Sequence, residues 1–271
     1  MTKKNCHFSM NAPLTDAEGA LFCLKIFFSQ RRTTMIDGNE LVELLRQYGK
    51  NSIFHANTVA TSLSFLRNGG LLSRQYVEDH PATCYQTLQK TDTTDKQFGV
   101  YNDIFFDVEN IWEIKTTCFY GPVVFQYDTR VLLGRGNLAV SRSNPAYWRN
   151  GPEDQRYFPD VASIRQEKGL FLFAPWPENE HIMLRQQGRL DFVRALEKVI
   201  LYMPPEGTDE SFLAERNRPS AAYEELAAEC GKRGISLEVR YVSHESWQGT
   251  VEHGNSAGRF YGFRAHVPNV A

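Results

Sequence analysis

The sequence predicts an α+β fold, on three observations. Amphipathic helical segments gather near the start, about half a dozen short strand-like runs follow, and the two kinds do not alternate regularly. Regular alternation would have pointed to a doubly wound parallel sheet, and neither GxGxxG nor GxxxxGK[ST] occurs in the chain.

Asp16–Arg32 reads as a helix, acidic in its first turn and basic at its end, as the helix dipole favours. Within it, Ala20–Phe28 is the longest apolar patch, and Lys25 interrupts it, so it reads as a buried helix rather than a membrane span. Asp37–Tyr48 is a second amphipathic helix closed by Gly49. Ser52–His55 follows as a short strand. Thr58 then serves as the N-cap of a helix whose face is Val59, Leu63, Phe65 and Leu66. Gly69-Gly70 ends that helix in left-handed backbone and leads to a second short strand ending at Arg74. Gln75–Phe98 is polar and without period, a loop with a short helix around Gln75–Asp79; at that length it is functional or mobile.

Val100–Val108, Gly121–Tyr127 and the shorter Gly136–Ser141 have the β-branched and aromatic content of buried strands. Arg142–Phe158 is irregular and crowded with aromatics and arginines, and Asp160–Glu167 reads as a helix. Gly169–Phe173 is apolar, and Glu178-Asn179-Glu180 leads into the strand His181–Arg185. Leu190–Tyr202 supplies a further buried strand, and Pro204–Pro219 is a charged linker. A helix over Ser220–Lys232 capped by Ser220, a half-exposed strand over Ile235–Val242 and a last strand over Phe260–Val267 complete the chain.

Composition narrows the class. A chain of 271 residues with 42% hydrophobic content and 18 Phe can bury a sizeable core. A net charge of −2 argues against wrapping duplex nucleic acid or binding an anionic membrane surface, while leaving room for a local basic groove. The start, MTKKNCHFSMN, has no apolar run behind its charges. Five scattered cysteines without CxxC or Cys/His ligand spacing point to reduced thiols of a cytoplasmic protein and to no metal site.

Three features could carry chemistry: His55 closing one strand, Arg74 closing the next, and Glu178/Glu180 at the head of a later strand. An E-x-E before a strand puts both carboxylates on one face, because the strand period is two. Carboxylates so close repel, and they need a function or an arginine beside them, or else a solvated strand end.

These residues, in this order, resemble the ADP-ribosyltransferase family, most closely its DarT-type branch, which modifies nucleic-acid bases. FHANTVATSLSFLRNGGLLSR is similar to that branch's first motif through Phe54, His55, Asn57, Gly70, Leu71, Leu72 and Arg74. Tyr101, Phe105 and Phe106 look like its aromatic strand, GPVVFQYD like its apolar strand, and SRSNPAYW around Asn144 like its Asn/His loop. Glu180 before HIMLR, and LEKVIL after it, resemble the catalytic glutamate and the strand that follows. The likeness covers Ser52–Tyr202, with Gln75–Phe98 as an insertion. The E-x-E pair is closer to arginine- and guanine-modifying members.

The resemblance implies a split, mixed or antiparallel sheet core over residues 51–204; the N-terminal helices in 1–50 and a small α/β extension in 205–271 are read from the residues themselves. It also implies NAD as co-substrate. Loss of neutral nicotinamide from a cationic ring leaves an oxocarbenium-like ribose, so no acid is needed for the leaving group and a carboxylate stabilises the charge. That carboxylate is Glu180. Glu178 orients or deprotonates the acceptor. Arg74 binds the pyrophosphate or holds the catalytic carboxylate. His55 and Asn57 contact the cofactor, and Tyr101 and Phe106 stack on the nicotinamide.

For the acceptor, Asn144, Trp148, Arg149 and Tyr157 fall in a stretch where aromatics alternate with arginines. Aromatic faces stack on unpaired bases and arginines follow phosphate, although the same aromatics could equally pack a loop onto the core. Lys and Arg mildly outnumber Asp and Glu between Arg130 and Arg194. An attacked base must be unpaired or flipped, which selects single-stranded DNA or RNA. Enzymes of this kind are commonly toxins, often in phage defence, so the resemblance also implies an antitoxin partner, for which 205–271 is a candidate docking surface. The alternatives are a protein-directed ADP-ribosyltransferase and a non-catalytic binding protein with the same fold.

Overall fold

The chain's architecture comes from a computed structural model that describes residues 35–89, 91–114, 118–148, 152, 155–168, 180–193, 195–210, 214–252 and 257–263. The expected helix Asp16–Arg32, the apolar run Gly169–Phe173, Glu178 and Arg149 lie outside these residues.

The fold is α+β, built on three small sheets. Its first helix among the described residues, α1 (Gly38–Gln47), starts where Asp37 accepts the backbone N–H groups of Asn39 and Glu40. Strand β1 (Ser52–Asn57) runs two residues further than the sequence suggests, so His55 lies inside the strand rather than at its end. Its partner β4 (Val123–Asp128) continues the antiparallel ladder from His55↔Phe125 to Asn57↔Val123, and this pairing holds the extra residues. Helix α2 (Val59–Asn68) is capped by the Thr58 hydroxyl and ends at Gly69 with φ 72°, as the local chemistry predicts.

Strand β2 (Gly70–Leu72) stops short of Arg74. The Ser73 hydroxyl accepts the Tyr76 N–H at 3.0 Å and starts helix α3 (Arg74–Asp79), so Arg74 opens a helix instead of closing a strand. The polar stretch beyond holds a second short helix, α4 (Asp92–Gln97). Strand β3 (Ile104–Phe106) is shorter than expected because residues 101–102 turn, and α5 (Ile111–Ile114) follows it.

Strand β5 (Leu138–Val140), helix α6 (Val161–Lys168) and strand β6 (Ile182–Leu184) appear where the sequence suggests. The run 190–202 divides into β7 (Arg189–Asp191) and β8 (Leu196–Met203). Helix α7 (Pro219–Gly231) begins one residue before Ser220, with Pro219 in its first turn and no side-chain cap. Strand β9 (Leu237–Tyr241) precedes α8 (His244–Glu252) and α9 (Ala257–Tyr261). Phe260 and Tyr261, expected in a strand, are therefore helical. One helical turn buries both rings, and the Tyr261 hydroxyl donates to the Tyr202 carbonyl at 2.6 Å.

The larger sheet has the order β1-β4-β8-β9, antiparallel except for the parallel pair β8–β9. A three-stranded antiparallel sheet has the order β3-β6-β5, and β2 pairs with β7. Phe54 and Asp107 exchange both backbone hydrogen bonds at 2.8 Å and join β1 to the end of β3. The main core fills the space around β4 and β8. A second cluster, of Val100, Ala139, Trp148, Tyr157 and Met183, packs on the three-stranded sheet. Among the described residues, no helix is long and apolar enough to cross a membrane.

Candidate active site

The two larger sheets meet at the Phe54–Asp107 bridge, and polar side chains converge there. From β1, the His55 Nδ1–H donates to the Phe105 carbonyl at 2.7 Å, and its Nε2 accepts from the Asn57 amide at 2.7 Å. Both ring nitrogens are thus committed to the neutral form. Burial lowers the His55 pKa below the ordinary imidazole value, the Phe105 carbonyl and Asp107 oppose this, and Arg74 adds to the lowering.

On the far side of β3, antiparallel pairing of Phe106 with Ile182 brings Asp107 opposite His181. His181 Nδ1 lies 3.0 Å from Asp107 Oδ1. The Ser141 hydroxyl accepts the His181 N–H at 3.0 Å, and the Ser141 N–H donates to the His181 carbonyl at 2.9 Å. These bonds fix the backbone just ahead of β6. Glu180, the preceding residue, is 4% exposed and His181 is 5% exposed.

Asn144 closes the group. Its Oδ1 accepts the Ala146 N–H at 2.8 Å, which orients the amide. Its Nδ2 therefore donates to His181 Nε2 at 3.2 Å and to the Tyr120 hydroxyl at 3.0 Å. Burial pushes Tyr120 above the ordinary phenol range, so it remains protonated.

Arg74 stands to one side of this group. Its Nη1 donates to the Thr87 carbonyl at 2.8 Å, and its Nε lies 3.4 Å from Asp92 Oδ1. Burial pulls the guanidinium below its usual pKa, opposed by Asp92, Tyr101 and Asp95, and it stays charged. Thr87 is tied to α2 through Thr61, whose hydroxyl accepts the Thr87 N–H at 2.9 Å. Tyr101 joins this corner, since its carbonyl accepts the Gln75 N–H at 3.0 Å and Lys96 sits over its ring.

Of the residues singled out from sequence, His55, Asn57 and Asn144 belong to the junction, Glu180 is buried and directly precedes His181 in the chain, and Arg74 and Tyr101 form the adjoining corner. Three aromatics are placed differently. Phe106 is a core residue, edge-on to Tyr127 and His55. Trp148 (9% exposed) and Tyr157 (2% exposed) pack edge to face in the second core cluster, so their faces do not stand open for a base to stack on. Their local sequence is the same whether the rings face solvent or another layer, and the layer formed by Met183 and Ala139 decides it. Tyr147, on the turn after Asn144, is the exposed aromatic of that stretch at 54%.

Sequence reasoning missed Asp107, Tyr120, Thr87 and the functional placement of His181. A carboxylate closing the apolar run IFFD, and a histidine directly behind Glu180, were the available signals. Among the described residues, no group of three His, Cys, Asp or Glu side chains could hold a metal ion.

No family model matches the chain, and no curated protein matches its sequence. Among solved structures it is similar to Thermus sp. 2.9 DarT in complex with ADP-ribosylated ssDNA, with 10% sequence identity and a TM-score of 0.43 over 73% of this chain and 96% of that chain.

Proposed function

We propose that the protein is an NAD-dependent mono-ADP-ribosyltransferase that modifies a base of single-stranded DNA or RNA, as a toxin or phage-defence effector. The observation that carries this proposal is the junction itself. A His181–Asp107 pair meets Asn144 there, near His55 with its Asn57 partner, and the buried Glu180 directly precedes His181 in the chain. The first motif and the glutamate strand, far apart in sequence, are thus brought to one place.

The donor set suits a dinucleotide whose cationic nicotinamide ring departs neutral and leaves an electron-poor ribose carbon. Glu180 holds negative charge next to that carbon in a site of low dielectric, where a fixed carboxylate acts strongly. Arg74 supplies charge-assisted bonds to the pyrophosphate, exchanging its contact with Asp92 for a stronger one. Neutral His55 and the Asn57 amide orient the cofactor, and Tyr101 borders it. Asn144 receives the acceptor, with Tyr147 as the exposed ring beside it. Glu178 keeps only the role of orienting the acceptor, and Arg149 that of following its phosphate, both from sequence alone.

The test is incubation with labelled NAD and, separately, single-stranded DNA, RNA and protein. Wild type is expected to label single-stranded nucleic acid, and Glu180→Gln to reduce labelling by about 10²-fold or more. Label found in protein instead would select a protein-directed transferase. Absence of transfer from wild type to every acceptor would refute the enzyme and leave a binding protein.

A further inference from the structure

Resting on the transferase reading above, we propose that His181 is the proton acceptor for the attacking nitrogen of the nucleic-acid base, with Asp107 as its positioning residue. The tautomer follows from the hydrogen-bond network. Because Asn144 Oδ1 is taken by the Ala146 N–H, the amide presents Nδ2, a donor, to His181 Nε2. Nε2 must accept, so the ring proton resides on Nδ1, 3.0 Å from the Asp107 carboxylate. A histidine held with its lone pair on Nε2 and a carboxylate within ion-pair distance of Nδ1, though out of line for a hydrogen bond, can take up a proton while the carboxylate's charge stabilises the imidazolium that results.

The Asn144 amide now occupies the position an acceptor N–H would take. A base bearing an exocyclic amine or a ring N–H replaces that hydrogen bond and delivers its own proton to Nε2. In the step, the acceptor nitrogen forms a bond to the ribose C1′, and the bond from C1′ to the nicotinamide nitrogen breaks. Its electron pair stays with neutral nicotinamide. The proton of the attacking nitrogen passes to His181 Nε2, and the imidazolium later releases it to water.

His55 cannot serve in the same way. Its Nδ1 proton faces a backbone carbonyl, which cannot balance a positive charge as a carboxylate can, and burial keeps the ring neutral. Asp107 is the group that differs between the two histidines. Its backbone is fixed by the Phe54 bridge and its side chain is about a quarter exposed.

Two measurements test this. Without any substrate, nitrogen-detected NMR of the full chain is expected to find His181 as the Nδ1–H tautomer in wild type and, because Asn144 still donates to Nε2, in Asp107→Asn as well. Finding the Nε2–H tautomer in wild type would overturn the proposal. In transfer assays, wild-type rate is expected to fall as pH is lowered. His181→Gln is expected to transfer about 10²-fold more slowly, without that acid limb, while binding NAD with unchanged affinity in calorimetry. Asp107→Asn, which keeps the backbone bridge, serves where His181→Gln folds poorly and is expected to slow transfer in the same direction. Wild-type transfer with an unaltered rate and acid limb in His181→Gln overturns the inference alone. No transfer by wild type to any acceptor overturns the transferase reading and the inference with it.

Discussion

At the scale of single residues, the junction depends on close approaches that only particular side chains permit. Gly121 has φ 142°, and a Cβ there would overlap the backbone carbonyl of Asn57 and the nitrogen of Thr58. Two consequences follow for Gly121→Ala. Overpacking and backbone strain are expected to destabilise the protein by about 1–3 kcal/mol, read as a lower urea midpoint. The Asn57 amide is also expected to leave His55 Nε2, raising the KM for NAD; an unchanged midpoint and KM would refute the link. Residue chemistry of this kind was only partly legible beforehand. His55 stood out as a polar residue at a strand end, and Asn57 and Asn144 through the resemblance to the family's motifs. Asp107 did not, because a carboxylate after a strand is ordinarily a solvated end, and its partner lies on another strand.

At the scale of elements, the insertion 75–98 is a polar strap rather than an unstructured loop. Asn68 donates to the Thr83 carbonyl, the Tyr85 N–H to Ser64, and the Gln86 amide to the Leu72 carbonyl, at 2.7–3.0 Å. The α2 face therefore lays the strap down and α4 ends it, placing Asp92 and Asp95 beside Arg74. Burial raises the Asp95 carboxyl to about 6, against the opposing effects of Thr91 and Arg74. An unfolded aspartate titrates near about 3.9, so the folded state holds this proton more tightly. The associated stability is present below about pH 4 and is lost as pH rises through about 6. Asp95→Asn is accordingly expected to stabilise the protein by about 1–2 kcal/mol at pH 7.5. In paired urea titrations the gain should shrink as pH falls and vanish near about pH 4. A gain independent of pH would show that Asp95 is not the titrating group.

At the scale of the whole molecule, residues 205–271 do more than follow the core. Strand β9 completes the larger sheet by parallel pairing with β8. Helix α7 faces α2, where Glu229 meets Arg67 and Arg233 donates to the Arg67 carbonyl. Ala222, Leu226, Cys230, Val242, Phe260 and Tyr261 are buried in the main core. A large apolar side chain such as Leu226 or Phe260 contributes about 1.5–3 kcal/mol when fully buried. A chain ended after Pro204 is therefore expected to be insoluble or to melt well below the full chain in calorimetry. An equal melting temperature would make the extension a separable appendage, as a dedicated docking module would be.

What the sequence by itself determined was local and ordered along the chain. Asp37, Thr58 and Gly69 mark helix ends through bonds within one turn, and apolar runs with β-branched and aromatic residues mark β1, β4 and β8. Such signals act between near neighbours, so they are legible without the fold. The tertiary structure alone decided which ends meet. Antiparallel pairing of β3 with β6 sets Asp107 against His181, and a second layer turns Trp148 and Tyr157 inward. It also decided what holds the Arg74 guanidinium, since Thr87 and Asp92 reach it from the strap. Both outcomes rest on long-range packing, in which a residue's partner is chosen by topology and not by its neighbours in sequence.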